Sequence, residues 1–367
     1  MDTLLIYGSY GYTGRLVARE AVSRGGSPVV AGRNRERVTE QADDLAVEGQ
    51  SFSLSESHAA LARRVEPFDA ILNCAGPFTD TCDPLVEACL ETGTDYLDIT
   101  GEFEVFERLA RIDERATEAG VAVVPGVGFD VVPSDCLTAY LGEQLPSATD
   151  LTLGLAANTS FSRGTAKTLI RYLGDGGLIR RDGRLYRVPT AYDTREIDFG
   201  DDRGSTTAVT IPYGDVVTAY HSTGIENVAV YADVPSSAIY AMRAANTPVL
   251  SRVLGSRPLE TALERLIRVR PEGPSQEELE TGRAVVWGEV TDGEQTVRAR
   301  LETPNVYALT ADVAVSAAER VLEGDTPAGY QTPSTAFGSD FVLECSGVER
   351  ELLSAPTLEG GPDSVSE

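Results

Sequence analysis

The chain has 367 residues, more than one small hydrophobic core requires, so we expect two domains. It carries 57 acidic residues against 31 Lys and Arg, a formal net charge of −26, which argues against nucleic acid and anionic membranes as partners. The only lysine is Lys167. This balance predicts a halophilic protein, in which concentrated salt screens the repulsion between like charges.

The five cysteines and two histidines offer little for metal or nucleophilic chemistry. No two cysteines form a Cys-x-x-Cys pair, and His58 and His221 are far apart in the sequence. We therefore expect no metal site, and we interpret the cysteines as small buried side chains in a reducing cytoplasm. No apolar run approaches the ~20 residues that cross a bilayer, so we expect no spanning segment and a cytoplasmic location.

A glycine-rich turn follows the first predicted strand. Thr3–Tyr7 is predicted as a short buried strand and Arg15–Arg24 as a helix. A strand, a glycine-rich turn and a helix in this order are typical of dinucleotide binding, although the spacing here is G-x-x-G-x-x-G. The first glycine would allow the tight turn, the second would admit the pyrophosphate, and the third would let helix and strand pack closely. The predicted cofactor-binding residues are Gly8, Ser9, Tyr10, Gly11, Tyr12, Thr13 and Gly14.

The next strand-to-helix turn indicates which dinucleotide binds. Ser27–Ala31 is predicted as the second strand, and Gly32-Arg33-Asn34-Arg35 follows it. An NAD enzyme places an acid near this point, whereas a guanidinium can hold the 2′-phosphate of NADP in bidentate fashion. We predict NADP as the cofactor, with Arg33, Asn34 and Arg35 among its binding residues. In the alternative interpretation the two arginines are solvated residues at a helix start.

Strands and helices continue to alternate to about residue 130. This alternation predicts a Rossmann-type parallel sheet in an α/β domain. The predicted elements after the second strand are helix Arg35–Val47, strand Ser51–Ser53, helix His58–Arg64, strand Asp69–Cys74, helix Pro84–Thr92, strand Asp95–Ile99, helix Phe103–Ala119, strand Val121–Val124 and a helix from Pro133 to Leu145.

The second half of the chain has a different pattern. Several longer segments alternate apolar and polar residues, which predicts a mostly antiparallel sheet with one covered face, an α+β domain. These segments are Leu151–Leu155, Thr206–Ile211, Ile225–Ala232, Val285–Val290 and Thr296–Leu301. Tyr307–Leu322 is predicted as an amphipathic helix, Gly329–Phe341 as a loop, and the segment after Leu353 as a disordered tail.

Several segments together resemble the saccharopine dehydrogenase-like oxidoreductases, and especially their trans-acting enoyl reductase branch. They are Gly8–Gly14, Ala31–Asn34, Asn73–Phe78, Tyr96–Glu102 and Gly126–Asp135. The resemblance implies an NADP(H)-dependent oxidoreductase that transfers hydride to an activated C=C, C=N or C=O bond of a small-molecule substrate. We find no basic cluster suited to a dicarboxylic amino-acid adduct, which favours an apolar substrate.

The resemblance also implies a domain arrangement in which the second domain is inserted late in the first. The expected division is an NADP-binding Rossmann domain at 1–140 and a substrate and dimerisation domain at 141–303. A returning C-terminal segment at 304–345 and a disordered tail at 354–367 complete it. The second domain is the candidate surface for a homodimer.

Ligands of an open α/β sheet bind outside the carboxyl ends of its strands. The loop Ala75-Gly76-Pro77 is predicted to approach the nicotinamide; alternatively, it is an ordinary strand-end turn. Asp98, with Thr100 and Glu102 nearby, and Asp130 are candidate catalytic carboxylates. As alternatives, the first would be a solvated loop residue and the second a helix cap.

Lys167 is a third catalytic candidate, because a buried lysine can titrate and donate a proton whereas arginine cannot. The alternative is chance survival of one lysine, with Tyr172, Tyr220 or His221 as other donors. Without a competent donor the chain would be a non-catalytic NADP-binding regulator or scaffold, and this rival function stays open at the level of the sequence.

Overall fold

The computed structural model describes residues 3–166, 176–200, 203–247 and 270–355. Lys167, Tyr172 and residues 356–367 of the predicted tail lie outside the described residues. Within these ranges the strands form two sheets, and no helix there has the length and apolar content needed to cross a bilayer.

The first sheet is parallel throughout, with the strand order β15-β6-β5-β4-β1-β2-β3. Along β1, Leu4 and Ile6 face one hydrophobic core while Leu5 and Tyr7 face another, so helices cover both faces of the sheet. Its strands are β1 Leu4–Tyr7, β2 Val29–Gly32, β3 Gly49–Ser51, β4 Ala70–Asn73, β5 Asp95–Asp98, β6 Ala122–Val124 and β15 Gly329–Tyr330.

The helices of this part and of the link to the second sheet follow the βα alternation. They are α1 Tyr12–Ser23, α2 Arg35–Leu45, α3 His58–Val65, α4 Phe78–Thr92, α5 Phe103–Ala110, α6 Asp113–Ala119 and α7 Val132–Gln144. The last of them, α7, packs against strands of the second sheet.

The second sheet is mixed and mostly antiparallel, in the order β10-β11-β12-β7-β13-β14-β16, with β8 and β9 attached to β12. Only β7 and β12 pair in parallel among its described strands. The strands are β7 Asp150–Ala157, β8 Gly177–Arg181, β9 Arg184–Val188, β10 Thr194–Asp198, β11 Ser205–Thr210, β12 Asn227–Asp233, β13 Arg283–Thr291, β14 Thr296–Pro304 and β16 Glu349–Ser354. The predicted fold class, a Rossmann-type sheet with an α+β unit, is confirmed.

The remaining helices are α8 Asp215–Thr223, α9 Ser236–Ala245, α10 Gln276–Thr281, α11 Val306–Leu322 and α12 Pro333–Phe337, with a 3₁₀ turn at Phe341–Glu344. Helix α11 packs against α1, where Arg24 donates to Ser316 (2.9 Å) and pairs with Glu319 (3.1 Å). The numerical domain boundaries given above remain a prediction.

Three predicted elements differ from the structure for identifiable reasons. Helix α4 begins at Phe78 and not at Pro84, because the Glu102 carboxylate caps its first N–H groups. The helix predicted over Phe103–Ala119 is two helices, separated by a tight turn in which Ile112 N–H donates to Leu109. The predicted loop Gly329–Phe341 contains β15, which pairs with β6, and a helix with a capping box at Thr332.

Candidate functional site

The glycine turn closes tightly between β1 and α1. Gly8 has a φ of +79°, a left-handed conformation that side chains with a Cβ rarely adopt. A Cβ at Gly8 would lie 2.7 Å from the backbone nitrogen of Ala75, and the N–H of Gly11 donates to the Gly8 carbonyl (3.0 Å). The turn therefore packs directly on the loop after β4, which brings two of the predicted cofactor loops together.

The N-terminus of α1 is open for an anion. Gly11 is the N-cap residue, no side chain caps the helix, and no acidic residue lies in the first turn. A Cβ at Gly11 would meet only the Gly8 carbonyl within 4 Å, at 3.2 Å, whereas one at Gly14 would collide with the Gly8 carbonyl and Ser9. The first-turn N–H groups of Tyr12 and Thr13, at the positive end of the helix dipole, are thus not capped by any side chain of the described residues.

Ser9 and Tyr10 hold the turn in place. Ser9 is fully buried, its hydroxyl donates to Gln41 Oε1 (2.7 Å), and Gln41 Nε2 donates back to the Ser9 carbonyl (2.9 Å). The Tyr10 ring lies on Gly32, and its hydroxyl accepts from the N–H of Asn34 (3.2 Å). The Ser9 side chain therefore ties the glycine turn to Gln41 in the protein interior, and Tyr10 joins the glycine turn to the turn after β2.

The turn after β2 presents two exposed guanidinium groups. Arg33 and Arg35 make no hydrogen bond or ion pair with any residue that the structure describes, although the Arg33 charge acts on Tyr7. Asn34 is the N-cap of α2, and its Oδ1 accepts from the N–H of Arg37 (3.1 Å). The Arg37 guanidinium lies 4.7 Å from the centroid of the Tyr10 ring and donates to the Tyr10 carbonyl (3.0 Å). Arg37, a third arginine within five residues, is not among the predicted cofactor-binding residues.

Buried polar side chains shape the loop Ala75-Gly76-Pro77. Asn73 Oδ1 accepts from the N–H of Ala75 (3.0 Å), and the Thr81 hydroxyl donates to the Ala75 carbonyl (2.6 Å). Gly76 and Pro77 remain exposed at the carboxyl edge of the sheet. Glu102, a solvated loop residue in one interpretation of the sequence, is instead buried as the cap of α4, with 2.9 Å to the N–H groups of both Phe78 and Thr79.

Asp98 lies beneath this edge. It is fully buried, and its carboxylate accepts from the N–H groups of Thr100 (2.9 Å) and Gly126 (3.0 Å) and from the Tyr96 hydroxyl (2.9 Å). Burial raises the pKa of Asp98 to about 6. These contacts fix the loops after β5 and β6, so the geometry gives Asp98 a positioning role, and its catalytic role stays a prediction.

Asp130 retains access to solvent and faces the second sheet unit. The hydroxyl of Tyr213, just before α8, donates to Asp130 Oδ1 (2.8 Å), and Oδ2 would lie 2.7 Å from a Cβ at Gly101. The surrounding protein raises the pKa of Asp130 by desolvation, and the hydrogen bond from Tyr213 lowers it. Burial and the Asp130 charge raise the pKa of Tyr213 well above 10. No sequence pattern indicates Tyr213 as a site residue, because its partner Asp130 lies 83 residues away.

An aromatic contact joins the glycine turn to the start of α11. The Tyr12 ring meets the Tyr307 ring edge-on with centroids 5.3 Å apart, and the Tyr12 hydroxyl donates to the Pro274 carbonyl (2.8 Å). The Tyr307 hydroxyl in turn accepts from the N–H of Ser162 (2.7 Å) and lies 3.0 Å from the Thr165 hydroxyl. The segment that precedes Lys167 therefore contacts the start of α11 beside the glycine turn.

The other donors considered in the sequence lie elsewhere on α8. The Tyr220 ring stacks under the guanidinium of Arg180 (4.3 Å), and His221 lies edge-on to Tyr330 (5.1 Å). Burial and the nearby Arg180 charge lower the pKa of His221. Neither contact involves the Asp130 side chain.

Comparisons with known proteins support the assignment of the first sheet to the cofactor-binding domain. Residues 4–124 match the family model described as the saccharopine dehydrogenase NADP binding domain, which confirms NADP as the predicted cofactor. The saccharopine dehydrogenase-like oxidoreductase of Mus musculus is 31% identical over 203 residues, 48% of this chain and 47% of that protein. A putative trans-acting enoyl reductase of Mycobacterium tuberculosis is 33% identical over 145 residues, 37% of this chain and 34% of that protein.

The matched region spans half or less of each of these relatives. Over the whole chain, the fold is similar to that of saccharopine dehydrogenase (L-Glu forming) from Saccharomyces cerevisiae, with a TM-score of 0.66 and 12% identity. That match covers 96% of this chain and 100% of the yeast chain. At this identity the similarity establishes the fold alone.

Proposed function

We propose, from the match of residues 4–124 to the saccharopine dehydrogenase NADP binding domain, that the protein is an NADP(H)-dependent oxidoreductase acting on an activated C=C bond. The observation that carries the proposal is the juxtaposition of two features. The uncapped N-terminus of α1 opens at the carboxyl edge of the first sheet. At the same edge a solvent-accessible carboxyl, Asp130, is held by a tyrosine of the second unit.

The residues at this edge fit the cofactor. The glycine turn admits a pyrophosphate at Gly11, where an added Cβ would meet only the Gly8 carbonyl, at 3.2 Å, and Arg33 and Arg35 offer exposed guanidinium groups to a 2′-phosphate. Tyr10, Tyr12, Thr13 and the loop Ala75-Gly76-Pro77 line the same edge. When bound, NADPH supplies the hydride; the protein positions it and handles the proton.

The proton is assigned to Asp130. Tyr213 occupies Oδ1, which leaves Oδ2 as the atom at which a proton is held and moved. Desolvation raises the pKa of Asp130, which is the direction that favours proton transfer by a carboxyl near neutral pH. Gly101 is required beneath this oxygen because a Cβ there would displace it.

The name of a relative and the aromatic side chains at this edge support a substrate class. The name of the mycobacterial relative includes enoyl reduction. Tyr12 beside the glycine turn and Tyr213 beside Asp130 are partly exposed aromatic side chains. We propose an alkene conjugated to a carbonyl on an apolar substrate, with imines and carbonyls as the next classes.

The test is NADPH oxidation by the purified protein against a panel of enals, enones and imines at molar KCl. Turnover of conjugated alkenes that is lost in Asp130→Asn supports the proposal. Tight NADPH binding without turnover of any compound would favour the non-catalytic regulator instead.

We expect NADPH to bind at least tenfold more tightly than NADH, a difference of about 1.4 kcal/mol. The exposed guanidinium groups of Arg33 and Arg35 recognise the 2′-phosphate, so Arg33→Ala should remove most of the preference. Calorimetric titration with both nucleotides measures it, and Arg19→Ala, on the exposed face of α1, is the control. Equal affinities in the unaltered protein would contradict this prediction.

Lys167 remains a second candidate for the proton, outside the described residues. If it donates the proton, Lys167→Arg keeps the charge but not the ability to titrate, and kcat should fall roughly 10²-fold. The Kd for NADPH should stay nearly unchanged. Full activity of the arginine variant would eliminate Lys167 and leave Asp130, with Tyr172, Tyr220 and His221 as the alternative donors.

A further inference from the structure

A cluster of buried, unpartnered oxygens lies between α7 and α8. Thr138, Asp215 and Thr218 are each 0% exposed. Both carboxylate oxygens of Asp215 and both threonine hydroxyls lack a hydrogen-bond partner among the described residues. Buried polar atoms in proteins are normally partnered by protein, water or an ion.

The two threonines do not use the partner that helical hydroxyls usually take. On α8 itself, the hydroxyls of Ser222 and Thr223 donate to the carbonyls four residues earlier, at 3.0 Å and 2.7 Å. Thr218 makes no such bond, although it is on the same helix. Its hydroxyl is therefore not bonded to the backbone of its own helix.

The helix register places these oxygens together. Residue 142 of α7 faces Thr223 near the end of α8, where a Cβ at Gly142 would lie 3.3 Å from the Thr223 methyl. Near the start of both helices, the Ser134 side chain is close enough to the Asp215 carboxylate to lower its pKa. The Ser134 hydroxyl itself donates to the Val131 carbonyl (3.0 Å). Thr138, four residues beyond Ser134, shares its helix face, as Thr218 shares that of Asp215.

The charges around Asp215 are uncompensated. The negative charges of Asp135 and Asp130 both raise the pKa of Asp215. Each of these two acids has its own hydrogen-bond donors, which are Ser222 and the N–H of Ser334 for Asp135, and Tyr213 for Asp130. A buried carboxylate that lacks a counter-charge is strongly unfavourable. Burial, together with these two charges, raises the pKa of Asp215 well above 3.8.

We propose that Asp215, Thr218, Thr138 and Ser134 form a buried site for an alkali cation, Na⁺ or K⁺. The ligand atoms are all hard oxygens, which suit a cation of this kind, and one carboxylate balances a single positive charge. Ca²⁺ and Mg²⁺ are usually held by more carboxylates or by several waters. The ion would anchor the first turn of α8, immediately after Tyr213.

The experiment compares thermal unfolding of the full chain in KCl, NaCl and tetramethylammonium chloride at one high ionic strength. General screening of the acidic surface is equal in the three salts, so it cancels. The site predicts a higher, saturable Tm in KCl or NaCl, because a ligand that binds only the folded state stabilises it. Asp215→Asn and Thr218→Val should abolish the difference between the salts, while Thr223→Val, whose hydroxyl bonds within its own helix, should keep it.

Crystals soaked in RbCl give a direct readout. An anomalous peak between Asp215, Thr218 and Thr138 supports the site. Equal Tm in all three salts, or a water without anomalous signal at this position, overturns it. If Asp215→Asn is more stable by the same amount in every salt, Asp215 is simply protonated and the proposal fails. Thr218→Val keeps the test decisive should the asparagine variant not fold. None of these outcomes depends on NADPH turnover.

Discussion

Replacing Gly11 by valine is expected to weaken NADPH binding at least about 100-fold, or about 2.8 kcal/mol. Gly11 has φ −67° and ψ 167°, an extended conformation that valine adopts readily, so the turn itself should survive the substitution. The valine Cβ would lie 3.2 Å from the Gly8 carbonyl, and its methyl groups would cover the N-terminus of α1. The loss should therefore come from blocked access to the helix N–H groups and not from unfolding.

Calorimetric titration with NADPH measures this loss, and circular dichroism checks the fold. Arg19→Val places the same side chain on the exposed face of α1 and should bind NADPH normally. Gly8→Val is a contrasting variant, because its φ of +79° and the contact with Ala75 predict a folding defect. Unchanged NADPH affinity in a folded Gly11→Val protein would show that the glycine turn is structural only.

Asp130→Asn is expected to lower kcat by about 10²–10⁴-fold, the range for loss of a general acid or base. The amide is nearly isosteric, and its oxygen can still accept from Tyr213 at 2.8 Å, so the loop should stay in place. What disappears is the ability to hold and release a proton. The Kd for NADPH should change less than about twofold, because the glycine turn and the arginines are untouched.

Tyr213→Phe tests the same pair from the other side. The Tyr213 hydrogen bond lowers the pKa of Asp130, so its removal should raise that pKa and move the pH profile of kcat to higher pH. A merely structural tyrosine would change stability without moving the profile. Asp44→Asn, an exposed acid on α2, controls for the loss of one negative charge. Asp130→Asn activity within threefold of the unaltered protein would contradict the assignment.

The position of α4 and the Asp130–Tyr213 pair show where reasoning from sequence fails. Glu102 caps α4 from 23 to 24 residues away, and Tyr213 reaches Asp130 across 83 residues. No local pattern encodes either contact, because each depends on how separate loops meet at the edge of the sheet. Ser9 is a similar case: its place within the glycine turn predicts cofactor binding, but its side chain points to Gln41 in the protein interior.

The sequence by itself determined the parallel α/β sheet, the second, mostly antiparallel sheet and NADP as the cofactor. These depend on short-range features: apolar runs in strands such as β1, glycines in one turn, and arginines where an acid would repel a phosphate. Only the tertiary structure decided that Asp98 is enclosed, that Asp130 keeps solvent access, and that four oxygens of Thr138, Asp215 and Thr218 lie unpartnered between α7 and α8. The reason is that burial, and with it the energy of a charge, is set by the packing of elements distant in the chain.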